Sequence, residues 1–143
     1  MISANQLTDK LVKAGIPQIA IHLFDDDYEL PDPDWIKRDL SKAFSKFLFD
    51  TGIVFNSEQY DCNKFAKSAS TIADWCWAKT NKTEAALAFG LMGIPGHMLC
   101  VAAHIDGVKF YEPQPMGMNQ TATLTESNLT KEGISECFTC IFV

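Results

Sequence analysis

The chain has 143 residues, 47% of them hydrophobic, with six prolines and eight glycines, which fits one domain over residues 1–143 carrying enough apolar side chains for a core. Its net charge of −6 and pI near 4.9, with twelve Lys and Arg scattered instead of forming a stripe, argue against a nucleic-acid partner. No apolar run approaches the roughly 20 residues that cross a bilayer. The start Met1-Ile2-Ser3-Ala4-Asn5-Gln6 lacks the basic and apolar blocks of a secretory signal, so the expectation is a soluble, cytoplasmic protein with no membrane partner. Five cysteines, an odd number without framework spacing, fit reduced thiols in such a compartment.

Residues Ser3 to Ala14 set Leu7, Leu11 and Val12 on one face and meet Gly15, which predicts a short amphipathic helix. From Gln18 to Phe24 the period changes to two, with Ile19, Ile21 and Leu23 alternating, and Asp25-Asp26-Asp27 closes this strand in a solvated turn. Asp32-Pro33 joins an N-cap to a proline at the first helical position, where a missing N–H costs nothing. Ile36, Leu40, Ala43, Phe44, Phe47 and Leu48 continue that helix and Thr51-Gly52 ends it. The next helix begins near Asp61, with Cys62, Phe65, Ala66, Ala69, Ile72, Ala73 and Cys76 forming one inward stripe. Thr83 reads as the cap of a further helix through Phe89. His97 to Ala103 reads as a strand, Asp106-Gly107 as a turn and Val108 to Glu112 as the returning strand. Pro113 to Asn128 reads as a long loop, and Glu136 to Val143 as a last apolar strand.

One constellation points to a chemistry. A thiol attacks only as its thiolate, and the free N–H groups and dipole of a helix start, where Cys62 falls, stabilise an anion. An imidazole can take the thiol proton and return it, while a third polar group fixes the ring in its useful tautomer. Cys62, His97 and Glu112 offer these three roles in chain order. Strand register decides whether Glu112 reaches His97. If 104–107 is a wide loop, Ala103 faces Val108 and Leu99 faces Glu112, which leaves His97 a diagonal neighbour at roughly 7 Å. A tight turn at Asp106-Gly107 separates the two by about 13 Å. The wide loop also sets Gln114 opposite His97, so Gln114 is the alternative orienter. An oxyanion would take the Cys62 N–H and a side-chain donor just upstream, Gln59 ahead of Asn56 and Tyr60.

The stretch Tyr60 to Gln114, in which Cys62 opens a helix, Gly96-His97 opens a strand and Glu112-Pro113 closes the next, resembles the papain-like fold families, most closely the transglutaminase-like cysteine peptidases. Gly96-His97, Asp106-Gly107 and Glu112 also look like the CHAP amidases, and Tyr60-Asp61-Cys62 is similar to the NlpC-type cell-wall peptidases. The chain departs from these patterns in three places: no aromatic stands two residues after His97, the acid is Glu instead of Asp, and Asp61 replaces the Gln that precedes the Cys in CHAP enzymes. The resemblance implies an α+β, papain-like/transglutaminase-like domain, with N-terminal helices and the Cys helix packed on a small antiparallel sheet. It implies a cysteine hydrolase, a peptidase or amidase ahead of a transglutaminase-type acyl transferase. Cys62 would attack a peptide, isopeptide or peptidoglycan-type amide to give a thioester, His97 would shuttle the proton, and Glu112 or Gln114 would orient His97.

The alternative is a non-enzymatic binding or regulatory module of the same fold, dimeric or part of a larger system, in which the cysteine is only packed. Cofactors and metals are not called for. Cys137 and Cys140 stand three apart in a strand-like setting and so point to opposite faces, and Asp25-Asp26-Asp27 reads as a solvated turn, not a calcium loop. His22 on a strand face and His104 exposed beside a turn are poor bases. Trp35 packs near its helix start, whereas Trp75 and Trp77, flanking Cys76, read as partly lining a groove or interface.

Overall fold

Ser3 starts the first helix by closing a capping box: its Oγ accepts from the Gln6 N–H at 3.2 Å, and Gln6 Oε1 accepts from the Ser3 N–H at 2.8 Å. In the computed structural model, which describes residues 1–53, 61–80, 83–114 and 124–143, β1 (Ile2–Ser3) thus leads directly into α1 (Ala4–Lys13). Gln18–Ala20 is a 3-10 turn, with β2 shortened to Ile21–Leu23, because Ile19 lies almost fully in solvent and gains nothing from a ladder. β3 (Asp27–Glu29) follows.

Asp32 Oδ1 accepts from the Asp34 N–H at 2.8 Å, and Pro33 takes the first place of α2 (Pro33–Trp35). The helix continues without a break through a π-helical stretch, Ile36–Leu40, into α3 (Ser41–Thr51). The buried Ser41 hydroxyl donates to the Ile36 carbonyl at 2.9 Å, adding to the π-type bond that the same carbonyl accepts from the Ser41 N–H. Gly52, at φ +65°, ends α3. After α4 (Cys62–Thr80) come β4 (Ala86–Leu87), β5 (Phe89–Ile94), β6 (His97–His104), β7 (Gly107–Glu112), β8 (Thr125–Glu126), α5 (Lys131–Ser135) and β9 (Thr139–Phe142).

Among the described residues the strands form a three-stranded sheet, β1-β3-β4, and a six-stranded sheet, β2-β9-β5-β6-β7-β8. β6 lies in the larger sheet with both faces covered, which is why its sequence is an unbroken apolar run from Met98 to Ala103 instead of an alternating one. Cys100 and Ala102 meet Phe65, Ala66, Ala69, Ile72 and Ala73 of α4, backed by Phe44 and Leu48 of α3. Leu99, Val101 and Ala103 meet Leu7 and Leu11 of α1, Met92 and Phe142 on the other side.

Two expectations are corrected here. Residues 83–89 form no helix: Ala86 pairs with Tyr28 in a parallel ladder and Phe89 pairs with Ala102, so long-range pairing overrides the helix propensity of an Ala-rich stretch. Gly90 explains how β9 comes so close to β5, since a Cβ there would stand 2.3 Å from the Ile141 carbonyl oxygen. The small antiparallel sheet of a papain-like, transglutaminase-like domain is also not what forms. The main sheet has six strands and is mixed, with β2 parallel to β9, and a second sheet adds another parallel pair, β3 with β4. The readings that place a loop over Pro113–Asn128 fall partly on 115–123, outside the described residues. Beyond it, Thr130 caps α5 by accepting from the Gly133 N–H at 3.0 Å, a helix not anticipated from the sequence.

Candidate functional site

α4 begins at Cys62 because Asp61 caps it: Asp61 Oδ1 accepts from the Asn63 N–H at 3.2 Å, and its carbonyl accepts from the Lys64 and Phe65 N–H groups, both at 3.1 Å. Cys62 is half-buried, and its thiol points to Asn63 Oδ1 at 3.8 Å. The Asp61 carboxylate therefore already occupies part of the donor field that a helix start offers to an anion.

His97 and Glu112 are brought together by the β6–β7 ladder. Ala103 pairs with Val108 and Cys100 with Tyr111, which sets Leu99 across from Glu112 and leaves His97 on the diagonal. This is the register expected of a wide loop, reached with His104 paired to Gly107 across a two-residue turn at Ile105 and Asp106. His97 Nε2 hydrogen-bonds Glu112 Oε2, and Glu112 Oε1 accepts from the Gln114 N–H at 3.0 Å. Gln114 thus acts on the carboxylate through its backbone and not on the imidazole through its amide. By the pleat, His97 and Glu112 fall on the face that carries Leu99 and Phe110, whereas α4 covers the face of Cys100, Ala102 and Tyr111. No hydrogen bond joins Cys62 to His97 among the described residues. Gln59, Asn56 and Tyr60 lie outside those residues.

His104 is not exposed: it is 1% accessible, with Nδ1–H donating to the Pro31 carbonyl at 2.6 Å and Nε2 3.0 Å from the Tyr111 hydroxyl. Burial holds this imidazole below its ordinary pKa, against a smaller raising effect of the Pro31 carbonyl. The same burial, with Glu126 adding, pushes the Tyr111 phenol up. Cys100 is fully buried and its thiol is pushed up by desolvation first and the Glu112 carboxylate second.

A second constellation was only partly anticipated. Trp35 and Trp77 meet edge to face, with centroids 5.1 Å apart at 83°, and line an open groove of about 640 Å³ with Leu30, Asp32, Asp39, Lys79 and Thr80. Trp75 points elsewhere and carries Lys79 Nζ 4.0 Å above its ring. The sequence signal for this site is the cap residue Asp32 followed by Trp35 and Asp39, one helical face apart, but their meeting with α4 is long-range. The acidic turn Asp25-Asp26-Asp27 lines a separate hollow of about 560 Å³ with Glu29 and Glu84. Among the described residues no three His, Cys, Asp or Glu side chains gather as metal ligands, and no helix is long and apolar enough to cross a membrane.

Over 99% of its length the chain is similar in structure to a chain titled "PSL1a-E64 complex", with a TM-score of 0.68 and 18% identity, covering 51% of that chain. It is similarly like a Polyporus squamosus lectin solved with the human-type influenza-binding epitope Neu5Aca2-6Galb1-4GlcNAc, with a TM-score of 0.67, 19% identity and 49% of that chain covered. No protein-family model and no curated protein matches. The chain therefore shares its fold with these structures and spans about half their length. This likeness corrects the resemblance to transglutaminase-like, CHAP and NlpC-type peptidases and, with it, the assignment as a papain-like cysteine peptidase or amidase, a hydrolase of the thiol protease class. The fold is held in common with a lectin chain, and a Cys62 thiol turned to Asn63 lacks the hydrogen bond to His97 on which that assignment rested.

Proposed function

We propose that residues 1–143 act as a binding module whose ligand is a neutral saccharide held in the Trp35–Trp77 groove. The observation that carries this reading is the pairing of two indoles with two carboxylates and a hydroxyl around one open groove, from which the Lys79 ammonium turns away to the Trp75 ring. An indole face packs on the C–H face of a sugar ring, and the Asp32 and Asp39 carboxylates and the Thr80 hydroxyl oxygen, whose hydrogen is held by the Cys76 carbonyl, match its hydroxyls as acceptors. The glycan named with the lectin belongs to that protein, of which this chain spans about half. The ligand class here rests on the groove itself. Two carboxylates against one lysine, in a chain of net charge −6, favour an uncharged sugar over a sialylated one. Five free thiols support a reducing, cytoplasmic setting.

Tryptophan fluorescence and calorimetric titration with Galβ1-4GlcNAc and with its sialylated form test this. Saturable binding of the neutral disaccharide, weakened at least about tenfold by Asp39→Ala and by Trp35→Ala, is the expected result. Absence of saturable binding across a panel of neutral oligosaccharides, or binding indifferent to both substitutions, refutes it.

One specific observation favours a second site: the contact of His97 with Glu112, itself tied to the Gln114 N–H. In this proposal Cys62 is the nucleophile, His97 the base and Glu112 its orienter, with Gln59 as an anion donor. Because Nε2 of His97 is committed to Glu112, the thiol proton would go to Nδ1 while the sulfur bonds to the probe's carbon, expelling iodide from iodoacetamide or breaking the C–O bond of the E64 epoxide, whose oxygen then takes the proton back. The probe is E64 or iodoacetamide at neutral pH, read by mass spectrometry. Labelling confined to Cys62 and slowed at least about tenfold by His97→Ala supports the roles. Labelling of Cys62 that ignores His97 removes them.

A further inference from the structure

The wall of the Trp35–Trp77 groove is held from inside the sheet. Leu30, Asp32 and Trp35 lie within six residues of chain and all line the groove. The carbonyl of Pro31, between the first two, receives the Nδ1–H of His104 at 2.6 Å from the middle of the fold, 73 residues away. A carbonyl can only accept, so Nδ1 carries the proton and Nε2 of the neutral ring accepts from the Tyr111 hydroxyl, 3.0 Å away. Both partners are closed off from water, His104 at 1% and Tyr111 at 4% exposure. A proton added at Nε2 would meet the Tyr111 oxygen head on and force its hydroxyl hydrogen to find another acceptor in a dry interior.

We infer that His104 is a positioning residue for the groove, and that its protonation, which breaks the Nε2–Tyr111 hydrogen bond while Nδ1–H stays on the Pro31 carbonyl, moves the ring and draws the Leu30–Asp32 wall with it, uncoupling Trp35 from Trp77. The charged groups around it are Lys109 on β7, Glu126 on β8 and Asp32 at the start of α2. Burial and, more weakly, Lys109 oppose the added proton; the Pro31 carbonyl and the two carboxylates favour it, but burial outweighs them and keeps the ring neutral at pH 7. The inference rests on the reading of this groove as the binding site, and its primary readout needs no ligand.

The test is near-ultraviolet circular dichroism of the Trp35–Trp77 pair, in a Trp75→Phe background so that the signal comes from that pair, followed from about pH 8 to about pH 5. The expected result is a pair signal that falls by about half or more below pH 6.5 in the parent and stays flat in His104→Asn, whose amide can still donate to the Pro31 carbonyl but does not titrate. Tyr111→Phe removes the hydroxyl that favours the neutral ring, and is expected to move the midpoint upward; it also tests the inference should His104→Asn fail to fold. Asp74 is the rival source, since it titrates near 6 beside Trp77. A pH response that persists in His104→Asn, or vanishes in Asp74→Asn, overturns the inference, as does a parent with no response. Failure of saccharide binding alone, with the optical response intact, refutes the binding reading and leaves the clamp standing.

Discussion

Asp74 sits on α4 facing a cavity of about 200 Å³ that it lines with Trp77, Ala78, Ala86 and Leu87. Burial first, and the Asp25 carboxylate second, raise its pKa from 3.8 to about 6. A rise of about two pKa units corresponds to an upper bound near 3 kcal/mol, which residual exposure and screening reduce to about 1–2 kcal/mol. The sign follows from proton binding. Between about pH 4 and pH 6 the native state holds a proton that the unfolded chain has lost, so stability falls as pH rises through that window, and the full penalty persists above it. Asp74→Asn removes the charge and keeps the shape. Its effect should be near zero at about pH 2.5, where Asp74 is protonated in both states, and grow to a stabilisation of about 1–2 kcal/mol at pH 7 and above. Urea unfolding of both proteins across this range measures it, as a midpoint increase of roughly 0.5–1 M at an unchanged slope. A gain that is the same at every pH, or no gain at pH 7.5, refutes the assignment of the penalty to Asp74 ionisation.

Gly90→Ala should cost about 3 kcal/mol or block folding, because its Cβ would meet the Ile141 carbonyl oxygen at 2.3 Å and only a backbone shift relieves that; thermal melting measures it. Ser3→Ala removes the Oγ arm of the capping box, leaving the Ser3 N–H on Gln6 Oε1, and should lower stability by about 1 kcal/mol, with faster amide exchange confined to the first turn of α1. In the native protein a thiol reagent such as DTNB should titrate Cys62 and Cys76, Cys76 more slowly because burial raises its thiol pKa. Cys100, Cys137 and Cys140 should react only on unfolding, and rapid labelling of Cys100 in native protein would contradict the two-sided packing of β6.

What could be read from the sequence is what short-range chemistry decides. The Asp32-Pro33 start and the Gly52 stop each need only neighbours on the chain, and both fall where their residue types require. The β6–β7 hairpin is nearly as local, so the ladder that brings His97 to Glu112 was open to register arithmetic. Residues 83–89 were misread because their pairing partners, Tyr28 and Ala102, carry the information that their own propensity lacks. His104 was misread for the same reason: its burial depends on a carbonyl 73 residues away. The groove joins Leu30–Asp39 to Cys76–Thr80, two stretches whose sequences hold the indoles and carboxylates but no sign that they meet.

The order Cys62, His97, Glu112 is a one-dimensional statement, and its two links differ in kind. His97 and Glu112 stand on adjacent strands, where a ladder fixes their distance whatever the rest of the chain does. Cys62 stands on a helix whose own cap, Asp61, competes for the same N–H groups that a thiolate would need, and whose packing face meets the other side of the sheet. Chain order cannot distinguish a thiol aimed at an imidazole from one aimed at its neighbour Asn63, because both keep the same spacing. That is why a resemblance built on order and spacing overreached toward a peptidase, while the His97–Glu112 hydrogen bond within it survives as a feature of the sheet.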